Sequence, residues 1–257
     1  TMANGEDEWS ASDVMYYFGG WEDGSMKTGW QKITVHDNED GKDDDYDYWF
    51  NFKSNGHRRA HANADDTWKS NSRYYHFDER GVMVYQWFET ATTNSASASN
   101  WAYFSSPEDG ARVTKGWFKV VPAEMLNKEK YDDDEESWYY ADGSGNLYAG
   151  EFKTIKGKKY AFRNDGRMLT GLKFIKEGDE DFADVKADDD DSRPFDNEDD
   201  FFDNAIEFYE PNGYKCYYFG GDDDGAMRTN KTNIDIDGDR FNFYFEKSGA
   251  HKGAGLT

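Results

Sequence analysis

Cysteine is almost missing from this chain. The single one, Cys216, excludes any internal disulfide, and pairing therefore says nothing about redox compartment. Proline is scarce too, at 4 in 257 residues, which rules out a proline-rich spacer. Leu, Ile, Val and Phe together reach only about 15%, below the ~20% under which a highly charged chain is ordinarily read as disordered. No run of 18 apolar residues occurs, so no segment reads as a membrane-spanning helix. Basic residues are in deficit as well, 30 Lys and Arg against 53 Asp and Glu, for a formal charge of -23. Without a basic stripe there is nothing to displace counterions from a phosphate backbone or to hold an anionic bilayer surface. Nucleic acid and membrane insertion are thus excluded as expected partners. The opening residues, Thr1-Met2-Ala3-Asn4-Gly5, lack the charged and apolar regions of a secretory leader.

What the chain has instead is rings and glycine: 9 Trp, 18 Tyr, 19 Phe and 25 Gly. Each buried aromatic removes roughly 150–250 Å² from water, so rings can replace the missing aliphatics and the disordered reading is rejected.

The rings recur in a fixed order. Two aromatics separated by one residue are followed by a polar turn ending in Gly and then by an apolar residue two positions on. Phe50 and Phe52 precede Gly56; Tyr75 and Phe77 precede Gly81 and Met83; Tyr160 and Phe162 precede Gly166 and Met168; Phe243 and Phe245 precede Gly249. Looser copies begin at Tyr16 and Phe18, at Trp101, Tyr103 and Phe104, at Tyr139, and at Tyr217 and Phe219. Period-two alternation is the mark of a strand with one buried face. Second turns between units, clearest at Lys156-Gly157 and Asp237-Gly238, make each unit a hairpin. A lone hairpin is marginal in water, so neighbours must stack. The expected fold is all-β, a solenoid of about eight stacked β-hairpin repeats with acidic loop insertions. Residues 1–14 form an N-terminal extension, 15–175 the hairpin repeats, 176–213 an acidic insertion and 214–257 two further repeats, in one continuous array. Within the insertion, Phe201 to Glu210 is expected to dock as a strand or short helix.

At Gly24-Ser25-Met26-Lys27-Thr28-Gly29-Trp30, Lys115-Gly116-Trp117, Trp138-Tyr139-Tyr140 and Gly166-Arg167-Met168-Leu169-Thr170-Gly171 the chain resembles the cell-wall-binding repeat family. That family includes choline-binding modules and glucan-binding repeats. The resemblance implies a hairpin solenoid on an exported protein attached to cell-wall polymers or glycans. It further implies an aromatic cage for quaternary ammonium, formed by the Trp after the turn glycine, the Trp opening the next strand and a Tyr of the following hairpin. On these positions stand three Trp pairs, Trp30 with Trp49, Trp87 with Trp101 and Trp117 with Trp138, with Tyr140 in a slot to close the second. The pairs are 19, 14 and 21 positions apart because acidic inserts separate them. In the later hairpins the same slots hold Glu151 with Lys159, Leu172 with Cys216 and Lys231 with Asn242, and Glu151 is expected to face Lys159 across its hairpin. The Trp residues leave three readings open: a choline cage, carbohydrate stacking, or hairpin-stacking core.

Other constellations read as structural. His57 and His61 lack the Glu of a zinc-protease helix, since Arg58 follows the first, and are expected to be surface histidines. Asp235, Asp237 and Asp239 alternate, but Arg240 stands where a calcium loop needs Gly. On one strand face they are a weak candidate cation site, and no metal or cofactor is expected. No nucleophile elbow or phosphate loop occurs, and Cys216 in a repeat slot reads as a small core residue. The expected function is a non-catalytic, extracellular cell-wall or glycan binding module of a bacterial surface, with a cell-wall polymer, choline-bearing teichoic acid or glycan as partner. The alternatives are a structural spacer or interaction surface, and the targeting region of a larger cell-wall enzyme.

Overall fold

The computed structural model describes residues 12–37, 44–91, 96–179, 181–186, 213–221, 223–236, 238–249 and 252–255. It is built from antiparallel hairpins that fall into two compact units, Thr1–Asn94 with Asn100–Thr114, and Ser95–Ser99 with Lys115–Thr257. The first unit pairs β1 (Gly29–Asp37) with β2 (Asp44–Phe52), β3 (Trp68–Ser70) with β4 (Arg73–Tyr75), and β5 (Gln86–Glu89) with β6 (Trp101–Phe104).

In the second unit β7 (Gly116–Val120) reaches β8 (Ser137–Ala141) through a loop carrying the short helix α1 (Lys128–Asp132). Asn127 caps that helix, its side chain accepting from the Lys130 amide at 2.9 Å. Then come β9 (Phe152–Ile155) with β10 (Lys158–Ala161), and a three-stranded sheet in the order β12 (Phe182–Lys186), β11 (Leu172–Glu177), β13 (Lys215–Tyr218). The last hairpin is β14 (Asn230–Ile236) with β15 (Asp239–Phe245). The stretch read as acidic insertion, 176–213, thus starts as sheet. β11 runs on to Glu177, and Phe182 and Val185 of β12 pack on the cluster that holds Ile175 and Tyr217. Phe201 to Glu210 lies outside the described residues.

The alternating pairs form the core. Phe50, Phe77, Tyr139, Phe162, Phe219 and Phe245 are all fully buried. In the third hairpin the inward positions are Ala102 and Phe104, which puts Trp101 just before the pair, where Trp49 and Trp138 stand in theirs. The leading unit differs from expectation. Tyr16 and Phe18 are exposed, because no hairpin precedes them among the described residues to cover them. Seven paired hairpins are described, with Tyr16 to Met26 contributing a turn ahead of them.

Neighbouring hairpins are joined by one recurrent backbone bond. At four turns, the residue two past the turn glycine donates its N–H to the carbonyl just before the core pair of the preceding hairpin. Met83 donates to Trp49 and Met168 to Trp138 at 2.8 Å, Arg112 to Tyr74 at 2.8 Å, and Met227 to Lys159 at 2.8 Å. The same bond satisfies backbone groups that a free hairpin edge would leave to water. The turn glycines have a second duty besides a positive φ. At Gly110 and Gly225 an added Cβ would collide with the thioether of Met83 and of Met168, the apolar residues of the hairpin before. Glycine and methionine are therefore one packing unit, repeated.

Candidate functional site

Trp30 follows the positive-φ Gly29 at the start of β1, and Trp49 lies diagonally across on β2, opposite Lys32. Trp117 and Trp138 repeat the arrangement on β7 and β8, with Lys119 opposite Trp138. The 14 to 21 positions between partners do not separate their rings. Trp30 and Trp49 have ring centroids 6.4 Å apart at 84°, Trp117 and Trp138 6.4 Å at 88°, and Trp87 and Trp101 6.5 Å at 80°.

Two of these corners acquire a third wall. Tyr75 meets Trp30 at 5.0 Å and 64°, and Tyr160 meets Trp117 at 4.9 Å and 64°. Phe77 and Phe162 back the same indoles at 5.6 and 5.7 Å. In each case the wall is the first ring of the next hairpin's core pair. Tyr140, expected to close the Trp87 and Trp101 pair, stands one position after the first core ring of its hairpin, Tyr139. Tyr140 instead packs on Trp117 at 5.0 Å, directly across its own hairpin. Trp30, Trp49, Trp117 and Trp138 are half-buried, whereas Trp101 is buried and Trp87 leans on Tyr103 at 5.1 Å. Trp68, not singled out beforehand, joins Trp30 at 5.8 Å, but the Arg59 guanidinium lies over its ring at 4.1 Å.

An acid completes each three-walled corner. Glu108 accepts from the Trp49 indole N–H at 3.1 Å and from Lys32 Nζ at 2.8 Å. Asp223 accepts from the Trp138 indole N–H at 2.8 Å and from Lys119 Nζ at 3.1 Å. Both acids stand two positions before the glycine that packs on Met83 or Met168. Lys32 holds the Glu108 carboxyl below its usual range, with the Trp49 N–H adding to it. For Asp223 the Trp138 N–H is the larger cause and Lys119 the second. Each acid is thus ionised and fixes the tilt of one Trp wall.

The remaining candidates serve the fold. Glu151 does not face Lys159, because the strands pair three positions further along. Lys159 opposes Thr154 and lays its ammonium over the Phe152 ring at 4.2 Å, while Glu151 pairs with Lys153 at 2.8 Å. Asp235 and Asp239 fall on opposite faces, since the turn between them places Asp235 across from Arg240 and Asp239 across from Ile236. Asp235 caps that turn, accepting from the Gly238 amide at 2.9 Å, and Asp237 lies outside the described residues. His61 is not a surface histidine. It is half-buried with its Nδ1 3.3 Å from that of the buried His76, and His57 meets the Tyr16 hydroxyl at 2.8 Å. Cys216 is buried in the cluster with Leu172 and Phe174, and burial pushes its thiol up.

No family model and no curated protein matches this sequence. Among solved structures, the chain is similar to the modular autolysin LytC from Streptococcus pneumoniae, at 18% identity, a TM-score of 0.45, and coverage of 93% of this chain and 36% of that one. It is similar to choline-binding protein F from Streptococcus pneumoniae, solved in the presence of a peptidoglycan analogue, at 17% identity and a TM-score of 0.40, covering 94% and 83%. A third is the choline-binding domain of Spr1274 from Streptococcus pneumoniae, at 22% identity and a TM-score of 0.26, covering 40% and 92%. Its structural neighbours include choline-binding proteins. The chain spans about a third of the length of LytC, and at these scores the likeness assigns it no ligand.

Proposed function

We propose that this chain is a non-catalytic module that attaches a bacterial surface or exported protein to cell-wall polymer, by holding quaternary ammonium groups in two aromatic corners. The observation that carries this reading is the repetition of one geometry: Trp30, Trp49, Tyr75 and Glu108 in the first unit, Trp117, Trp138, Tyr160 and Asp223 in the second. Stacking alone does not require a carboxylate to fix an indole. A trimethylammonium seated over two perpendicular faces 6.4 Å apart would lie about 4.5 Å from each centre, inside the ~6 Å range of cation–π attraction. Each such contact contributes roughly 0.5–2 kcal/mol, so one corner binds weakly, and two corners on one polymer gain through effective concentration.

Titration with choline against its neutral isostere, 3,3-dimethyl-1-butanol, read by intrinsic Trp fluorescence, tests this. Choline saturates and the isostere does not. Equal responses would return the corners to hydrophobic stacking.

The Trp87 and Trp101 pair favours a second reading for its own hairpin. With Trp101 buried, those rings serve hairpin stacking, as a structural spacer requires.

A further inference from the structure

The register that builds the two corners recurs once more in the second unit, with other residues in its slots. Trp30 lies opposite Asn51 and Trp117 opposite Tyr140, in each case the residue between the two core positions of the partner strand. On β9 that place, opposite Ala161, belongs to Phe152. Trp49 and Trp138 immediately precede their core pairs, and in that slot β10 carries Lys159. Tyr217, the first ring of the next core pair, meets Phe152 at 5.1 Å and 59°, as Tyr75 meets Trp30 at 5.0 Å and Tyr160 meets Trp117 at 4.9 Å. Phe182 of β12 closes on the same ring at 4.8 Å and 72°. Two rings thus converge on Phe152 at a step of the array that has no Trp.

A cation stands where the second Trp wall would be. Lys159 Nζ lies over the Phe152 ring at 4.2 Å, close to the ~4.5 Å at which a trimethylammonium would sit from each wall of a Trp corner. The neighbouring acids are engaged with other partners. Glu151 pairs with Lys153 at 2.8 Å, and Glu177 accepts from Lys215 Nζ at 3.3 Å and from the Tyr217 hydroxyl at 3.2 Å. Glu177 therefore fixes one ring of this corner, as Glu108 and Asp223 fix one Trp of theirs. Burial lowers the Lys159 pKa, and the charge of Glu177 opposes that effect while Lys252 and Lys215 add to it. An ammonium delivered by a side chain of the corner itself competes at the high effective concentration of a tethered group. The Lys159 carbonyl accepts from the Met227 amide at 2.8 Å, a stacking bond that does not depend on the side chain.

We infer that Phe152, Tyr217 and Phe182 form a third quaternary-ammonium corner, which Lys159 keeps shut by occupying it. Lys159 then sets the valency of the array, leaving two corners open. The inference rests on the function proposed for the Trp corners, but its residues are separate from theirs.

The test is choline titration of the full chain followed residue by residue by NMR. Ring signals of Phe152 and Tyr217 report the third corner, and the indole N–H signals of Trp30 and Trp117 report the other two. In wild type the Phe152 and Tyr217 signals should stay still at choline concentrations that saturate the indoles. Lys159→Ala should open the corner, giving saturable shifts of both rings and an affinity there about tenfold above wild type. Lys159→Gln, which keeps most of the stem and loses the charge, should do the same, whereas Lys159→Arg should leave the corner shut. The neutral isostere 3,3-dimethyl-1-butanol should move the two rings in none of these proteins. Rings that stay still in folded Lys159→Ala and Lys159→Gln, rings that answer choline and the isostere alike, or a wild type that responds as the variants do would overturn the inference. Silent indoles in wild type together with a Phe152 response in Lys159→Ala would reject the Trp corners and uphold the third.

Discussion

The indole N–H of Trp138 donates to Asp223 at 2.8 Å across 85 positions of sequence, joining β8 to a turn beyond β13. Trp49 and Glu108 repeat the bond across 59 positions in the first unit. A wall and its latch thus come from chain segments far apart, and the corner exists only when the hairpins between them have stacked.

Removing the latch should cost binding more than folding. Glu108→Ala and Asp223→Ala free one indole each and are expected to weaken choline about three- to fivefold per corner, while Asp223→Asn, which still accepts from the indole, recovers most of it. Isothermal titration of the three variants measures this, with urea midpoints near wild type because both acids are solvent-exposed.

Gly110 and Gly225 should tolerate no side chain. Each has a φ of +60°, and a Cβ would strike Met83 or Met168. Alanine at either position is expected to destabilise by about 1–3 kcal/mol. Met83→Ala should recover part of the loss at Gly110, which a double-mutant cycle by chemical denaturation resolves.

Acid should loosen the β3–β4 hairpin through His61 and His76, which flank it. Burial lowers both, His61 to about 4, and the neighbouring His76 adds to the reluctance of His61 to charge. A histidine whose folded value is depressed contributes stability that is complete above its unfolded value of 6.5 and is lost as pH falls from there towards 4. Because His61 is half exposed, the loss is expected to be about 1–2 kcal/mol rather than the full shift. The thermal midpoint of wild type should fall between pH 6.5 and 4, and that of His61→Gln should fall less.

The hairpins were legible because alternation and turn glycines are local. Phe50 with Phe52 and Tyr160 with Phe162 announce a buried face without help from distant residues. The third wall was not. Tyr75 and Tyr160 had already been assigned to the core, and only the stacked hairpins show that the exposed edge of a core ring can also face a neighbour's indole. The acids were hidden for a different reason. Glu108-Asp109-Gly110 and Asp223-Asp224-Gly225 share a pattern, as does Glu22-Asp23-Gly24, but among 53 carboxylates an acid two positions before a glycine carries little information. Strand register differs by three positions at Glu151 and Lys159, since a short turn at Lys156 and Gly157 sets the pairing, and both have positive φ. The inserts misled in the harmless direction, lengthening the sequence distance between Trp partners while leaving their separation at 6.4 to 6.5 Å.

The most direct measurement is the paired titration of choline and 3,3-dimethyl-1-butanol against wild type, Trp30→Leu, Trp117→Leu and the double variant, following fluorescence and far-UV circular dichroism together. Two cation-selective corners predict saturable choline binding in wild type, one class of site lost in each single variant, none left in the double variant, and no selectivity for the neutral isostere. Choline and the isostere behaving alike in a folded wild type, or choline binding surviving intact in a folded double variant, would contradict it.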